Sequence, residues 1–260
     1  AALPVSGLLL IDSDGAAAEK PRNRLKRRTR QRKRKQRNRR QRNQQKNQSG
    51  SGGGGRTPAL ETATPCEISS DCPATSLCVD GFCQPCDVCP RGCTFTNLHA
   101  AIDSSAQPSI IRVCPGTYQP VVIQRPLALI GAGDGDDQSS NTILQGEPGF
   151  SSVVTVNLDD AMVTLQGLLI TGGNGSDGGG IYNRGNLLMS DVTVSGNTAT
   201  NGGGIYNAGS VSLAGCSVTG NTATDGGGIY SGGGQVLLQS GTRVSGNSSD
   251  NCGGPGPYAG

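Results

Sequence analysis

Gly178-Gly-Gly-Ile181-Tyr182-Asn183 returns as Gly202-Gly-Gly-Ile205-Tyr206-Asn207 and again as Gly226-Gly-Gly-Ile229-Tyr230-Ser231, a period of 24 residues. In step with it run Val194-Ser-Gly-Asn197 and Val218-Thr-Gly-Asn221. Val244-Ser-Gly-Asn247 follows 26 residues later, which marks a two-residue insertion in the last copy. A repeat of this length, built from β-branched residues and glycine turns without a helical stretch, specifies a stacked β-solenoid more than a leucine-rich or helical array. The expected fold is all-β: a right-handed parallel β-helix with one repeat per coil.

Each coil advances by about one strand spacing, roughly 4.8 Å, so equivalent residues should stack in ladders. Ile181, Ile205 and Ile229 are expected as an interior ladder, as are Val194, Val218 and Val244. Side chains alternate along a strand, so Tyr182, Tyr206 and Tyr230 should point outward as an aromatic ladder. Asn197, Asn221 and Asn247 should form an amide ladder in a turn, because Asn tolerates left-handed backbone and can pass hydrogen bonds from coil to coil. Cys216 aligns with Val192 and reads as a small buried hydrophobe.

Composition agrees: glycine supplies 42 of 260 residues, aromatics are scarce and Trp is absent. An ordinary layered core is poorly served by this mixture, whereas a solenoid packs small and β-branched side chains against neighbouring coils. The formal charge of +3 conceals a polarised molecule. Sixteen of the 22 basic residues lie between Lys20 and Lys46, while residues 57–260 carry five basic against sixteen acidic residues, a net of −11.

The chain divides into four segments. Residues 1–18 contain a short apolar run, Leu3 to Ile11, and the small residues Ala16-Ala17-Ala18, as in a signal peptide cut short. Residues 19–65 are a basic arm and a Gly/Ser tether, too charged and too poor in apolar side chains to fold alone. The arm reads as a spacer or a loose contact with anionic envelope polymers. No aromatic residue is interleaved for base stacking, so no specific nucleic-acid role is expected. Nothing elsewhere approaches the roughly 18 apolar residues of a membrane span.

Residues 66–93 hold seven of the ten cysteines: Cys66, Cys72, Cys78, Cys83, Cys86, Cys89 and Cys93. Such density belongs to oxidising compartments and implies export, to the cell surface or beyond. The last four have bacterial ferredoxin spacing, so iron–sulfur or zinc ligation at Cys83, Cys86, Cys89 and Cys93 competes with a disulfide knot. Thr94 stands where a ferredoxin has Pro, no second cluster half exists, and three cysteines crowd upstream, so the knot is preferred. Cys114 makes an eighth cysteine; a module cysteine, Cys93 by expectation, should bridge to it.

Residues 94–260 form the solenoid itself. Thr94 to Ala106 is amphipathic, with Phe95, Leu98, Ala101 and Ile102 on one face, and should cap the first coil. His99, the only histidine, is expected at a boundary. Strand-like runs follow at Ile110–Cys114, Val121–Ile123, Leu127–Ile130, Thr142–Leu144, Val153–Val156 and Val163–Ile170.

The run Val113-Cys114-Pro115-Gly116-Thr117-Tyr118, with Leu127 to Gly133 after it, resembles the first coils of pectinesterase-like and other pectin-lyase-like β-helices. Over residues 165–254 the repeats resemble those of bacterial polymorphic outer membrane proteins, which pair a Gly-Gly-aliphatic-Ile unit with an aromatic-x-x-Asn unit. Gly179-Gly180-Ile181 and its copies match the first unit; Val194, Val218 and Val244 replace the aromatic of the second. The resemblance implies surface display, adhesion or polysaccharide contact.

Catalysis on this scaffold would need acidic residues converging with a basic one. Asp159-Asp160 lies between two strands, Asp134, Asp136 and Asp137 share a loop, and Arg184 sits beside the tyrosines in a single coil. Gly172 to Gly180 approaches a calcium-binding nonapeptide around Asp177, but it occurs once, whereas such sites need successive nine-residue turns. Gly131-Ala-Gly133-Asp-Gly135 follows a strand with no helix after it, so it binds no dinucleotide. The expectation is therefore a structural, adhesive or glycan-binding module without a cofactor, with Tyr182, Tyr206, Tyr230 and Arg184 as ligand-contacting candidates. A polysaccharide lyase or esterase is the rival.

Overall fold

A computed structural model describes residue 66 and residues 72–73, 75–79, 82–104, 109–159 and 161–259. The expectations for the signal peptide, the basic arm, the tether and Asp160 lie outside these residues.

The repeat region is a parallel β-solenoid of about six turns with about 24 residues per turn. One sheet stacks β5 (Val121–Ile123), β8 (Val154–Val156), β10 (Ile181–Asn183), β13 (Ile205–Asn207), β17 (Ile229–Ser231) and β20 (Cys252–Gly253). A longer sheet runs through β3 (Ile110–Arg112), β6 (Leu127–Ile130), β9 (Met162–Thr171), β11 (Asn186–Ser195), β14 (Ser210–Ala214), β18 (Gln235–Leu238) and β21 (Tyr258–Ala259). Four further strands, β4 (Gly116–Tyr118), β7 (Thr142–Gln145), β15 (Ser217–Thr219) and β19 (Arg243–Ser245), join the longer sheet beside that path, and a short sheet pairs β12 (Thr198–Asn201) with β16 (Thr222–Asp225).

Register follows the repeat: Ile181 pairs with Ile205 and Ile205 with Ile229, and Val194 with Val218 and Val218 with Val244. All three isoleucines are fully buried, each contributing on the order of 2–3 kcal/mol of apolar transfer. The glycine triplets are needed because coils pass backbone against backbone. A Cβ at Gly204 would lie 2.5 Å from the Gly228 carbonyl oxygen and 2.9 Å from Val218. Gly202 turns the chain at φ +64, where a Cβ would also strike the Ile205 carbonyl at 2.3 Å.

The cap is shorter than its amphipathic pattern. Helix α1 spans Leu98–Asp103 and buries Leu98, Ala101 and Ile102. Phe95 is withheld from it because its backbone is engaged elsewhere: its N–H donates to the Asp87 carbonyl and its carbonyl accepts from Cys89. Asn97 then starts the helix, its side chain accepting from the N–H groups of His99 and Ala100. Arg125 satisfies the far end, donating through Nε to the Ile102 carbonyl at 2.7 Å.

The cysteine module is a disulfide knot around an antiparallel hairpin, β1 (Ser76–Val79) and β2 (Phe82–Pro85). Bridges join Cys66 to Cys78, Cys72 to Cys83, Cys86 to Cys114 and Cys89 to Cys93. The expected Cys93–Cys114 bridge is thus corrected: Cys86 is the partner of Cys114. The chain after Cys86 adds as a rung under the first coil, with Asp87 donating to the Arg112 carbonyl and Cys114 to the Val88 carbonyl. That pairing brings Cys86 beside Cys114, while the intervening loop turns back on itself and closes Cys89 onto Cys93. Cys83, Cys86, Cys89 and Cys93 are therefore spread over three disulfides, and no set of four thiolates faces a common centre.

Candidate functional site

Three parallel columns of side chains border one another along the solenoid. The first is the tyrosine ladder. Tyr182 and Tyr206 stack with ring centroids 5.4 Å apart and 7° between planes, and Tyr206 and Tyr230 repeat this at 5.4 Å and 13°. All three rings are half-buried. Because they face one another along the axis, they present edges and hydroxyls outward, and the faces of Tyr206 are covered on both sides.

Beside the tyrosines, Asp177, Asn201 and Asp225 share a column. Asp177 Oδ1 accepts from Asn201 Nδ2 at 2.8 Å. Burial raises the Tyr206 hydroxyl pKa above its ordinary value, and the charge of Asp177 and the neighbouring Tyr182 and Tyr230 add to the shift. For the calcium reading, Asp177 spends one oxygen on the Asn201 amide, and no group of three potential ligands gathers there among the described residues. The one such group, Cys66, Cys72 and Cys83, consists of disulfide sulfurs.

On the other side of the ladder the chain turns after each Ile-Tyr-Asn or Ile-Tyr-Ser unit. There an open groove of about 350 Å³ is lined by Asp159, Arg184, Asn186, Ser210 and Gln235 over a floor of turn glycines, Gly185, Gly209 and Gly234. The structure thus brings Asp159 and Arg184, distant in sequence, into one groove, while Asp134, Asp136 and Asp137 lie elsewhere. Gly232 joins groove to ladder: a Cβ there would sit 2.6 Å from the Tyr206 hydroxyl. Only glycine leaves room for that hydroxyl here, one residue before the groove glycines Gly233 and Gly234.

Two amide ladders hold this face rigid. The expected one is present: Asn197 Nδ2 donates to Asn221 Oδ1 at 3.0 Å, and Asn221 Nδ2 to Asn247 Oδ1 at 3.1 Å. Sequence reasoning missed the second. Asn183, Asn207 and Ser231 lie fully buried directly beneath the groove turns, and Asn183 Nδ2 reaches Asn207 Oδ1 at 2.7 Å. The signal was available: a residue two positions after an interior isoleucine points to the same face.

His99 sits half-buried at the cap, its ring 6.5 Å from that of Phe150 and away from the groove. Cys216 is buried, as expected, against the backbone of Val192, and burial raises its thiol pKa. Among the described residues no helix is long and apolar enough to cross a membrane.

The chain matches no protein-family model, and no curated protein or solved structure matches it significantly.

Proposed function

We propose that this protein is an exported or cell-surface β-solenoid that binds polysaccharide through the tyrosine hydroxyl row and the Arg184 groove, as a non-catalytic adhesive or structural element. The carrying observation is the approach of the Tyr206 hydroxyl to Gly232, the neighbour in sequence of the groove glycines Gly233 and Gly234, which brings the tyrosine ladder up to a groove lined by Asp159, Arg184, Asn186 and Gln235. Hydroxyl-rich polymers suit such a surface because it offers repeated donors and acceptors on a rigid frame. The covered ring faces favour hydrogen bonding over ring stacking. Four disulfides support an oxidising destination. The likeness to polymorphic outer membrane protein repeats rests on the Gly-Gly-Ile units, and that to pectin-lyase-like β-helices on Val113 to Tyr118 with Leu127 to Gly133; the first supports surface display.

Affinity electrophoresis through polygalacturonate and through a neutral β-glucan tests this reading. Retardation in at least one polymer, reduced by Arg184→Ala and by Tyr206→Phe without loss of thermal stability, is the expected result. Unretarded migration in both would overturn it.

A second reading is favoured by the convergence of Asp159 and Arg184: a carbohydrate-active enzyme using that pair as base and charge stabiliser. Product release from uronate polymers that vanishes in Asp159→Ala or Arg184→Ala would replace the binding role with catalysis.

A further inference from the structure

The outer face of the long sheet is uncharged over most of its length, in a body of net charge −11. In β9, β11, β14 and β18 the outward residues are Met162, Thr164 and Gln166, then Asn186, Leu188 and Ser190, with Ser210, Ser212, Gln235 and Leu237 continuing the columns. None is ionisable; Arg112, half-buried, stands at one end. Charges begin at the margins, Asp191 on one side and Asp159 with Arg184 on the other. Large apolar side chains remain exposed here: Met162 at 61%, Leu237 at 45%, Ile110 at 38% and Leu188 at 37%.

Three of these share one column, whose register places Leu188 fourth of seven residues between Ile110 and Ala259. We infer that this face is where a second copy of the chain docks, related by a twofold axis through Leu188. Such an axis sets Leu188 against its own equivalent. It also sets Ala128 against Leu237, Ile110 against Ala259, and the hydroxyls of Thr164 and Ser212 against each other. A column whose two halves match in this way is self-complementary, as an isologous interface requires. Like-charged bodies repel, so the uncharged face with charged margins is the surface on which two copies can meet, and it has the apolar centre and polar rim of an interface.

Seven strands at about 4.8 Å, five residues wide at the centre and two to four towards the ends at about 3.3 Å per residue, give roughly 450 Å² per copy. The total of about 900 Å² is at the small end for a dimer, so association should be of micromolar strength.

Sedimentation equilibrium of the full chain, up to about 100 µM, tests this. A dimer is expected, and it should persist near 1 M salt, where the screening length falls to about 3 Å and attraction between a basic arm and an acidic body is lost. Leu188→Lys, which sets two ammonium groups together at the axis, should weaken association at least tenfold with an unchanged circular dichroism spectrum. If that variant fails to fold, Leu237→Lys carries the same expectation. A monomer at the highest concentration, a dimer dissolved by salt, or a dimer indifferent to the folded lysine variant would each overturn the inference.

Discussion

Asn183 donates from Nδ2 to Asn207 Oδ1 across 2.7 Å, and both amides are sealed from solvent directly under the groove. Asn207 in turn donates to the carbonyls of Gly209 and Gln235. Replacing it with Ala removes both of these bonds and one acceptor of the Asn183 amide inside a dry coil, while the Gly209 carbonyl keeps only the N–H of Gln235. The cost should be about 2–4 kcal/mol, since each stranded buried polar group costs about 1–3. Urea denaturation measures it; a loss below about 1 kcal/mol would show that water re-enters the coil.

The glycine triplet makes a sharper demand. Gly204→Ala drives a Cβ into the Gly228 carbonyl, and the backbone on both sides is held by inter-coil hydrogen bonds, Gly204 N to Gly227 O and Ile205 N to Gly228 O. A loss of about 3 kcal/mol or more is expected, at the large end for single substitutions. Thermal unfolding decides; a neutral result would mean that the coils can spread.

Disulfide connectivity is directly checkable. Non-reduced peptide mapping should recover Cys86 with Cys114 and Cys89 with Cys93; a Cys93–Cys114 peptide would contradict the register of the module. Closing the 28-residue separation from Cys86 to Cys114 constrains the unfolded chain by about 3–4 kcal/mol. A Cys86→Ala/Cys114→Ala variant should lose stability of that order.

Tyr118 offers a pH prediction. It is 8% exposed, its hydroxyl donates to the Cys114 carbonyl at 3.0 Å, and burial pushes its pKa from 10.0 up to about 12. The folded state therefore holds its proton to higher pH than the unfolded state. This stabilisation is fully present below pH 10 and is lost as pH rises through about 12, amounting to about 2–3 kcal/mol. Tyr118→Phe should cost about 1 kcal/mol at neutral pH and flatten the alkaline decline. Guanidinium titrations at pH 8 and near pH 12 compare the two slopes.

The repeat alone determined the solenoid. A 24-residue period with Ile, Tyr, Val and Asn at constant offsets has one economical solution, stacking, and stacking dictates each like-with-like pair, so those ladders were legible residue by residue. Strand positions such as Val121–Ile123 and Leu127–Ile130 were equally plain, because period-two patterns between turn residues are local information. The tertiary structure decided what depends on separate segments meeting. Cys86 and not Cys93 reaches Cys114, because a backbone rung between Asp87 and Arg112 sets the approach. The helix is cut back to Leu98 because Phe95 is claimed by that same rung. Asp159 and Arg184 share a groove because one coil lies over the next, a distance that sequence separation does not encode. Repetition writes contacts between equivalent residues into the sequence, whereas contacts between unlike residues exist only once the chain has closed its coils.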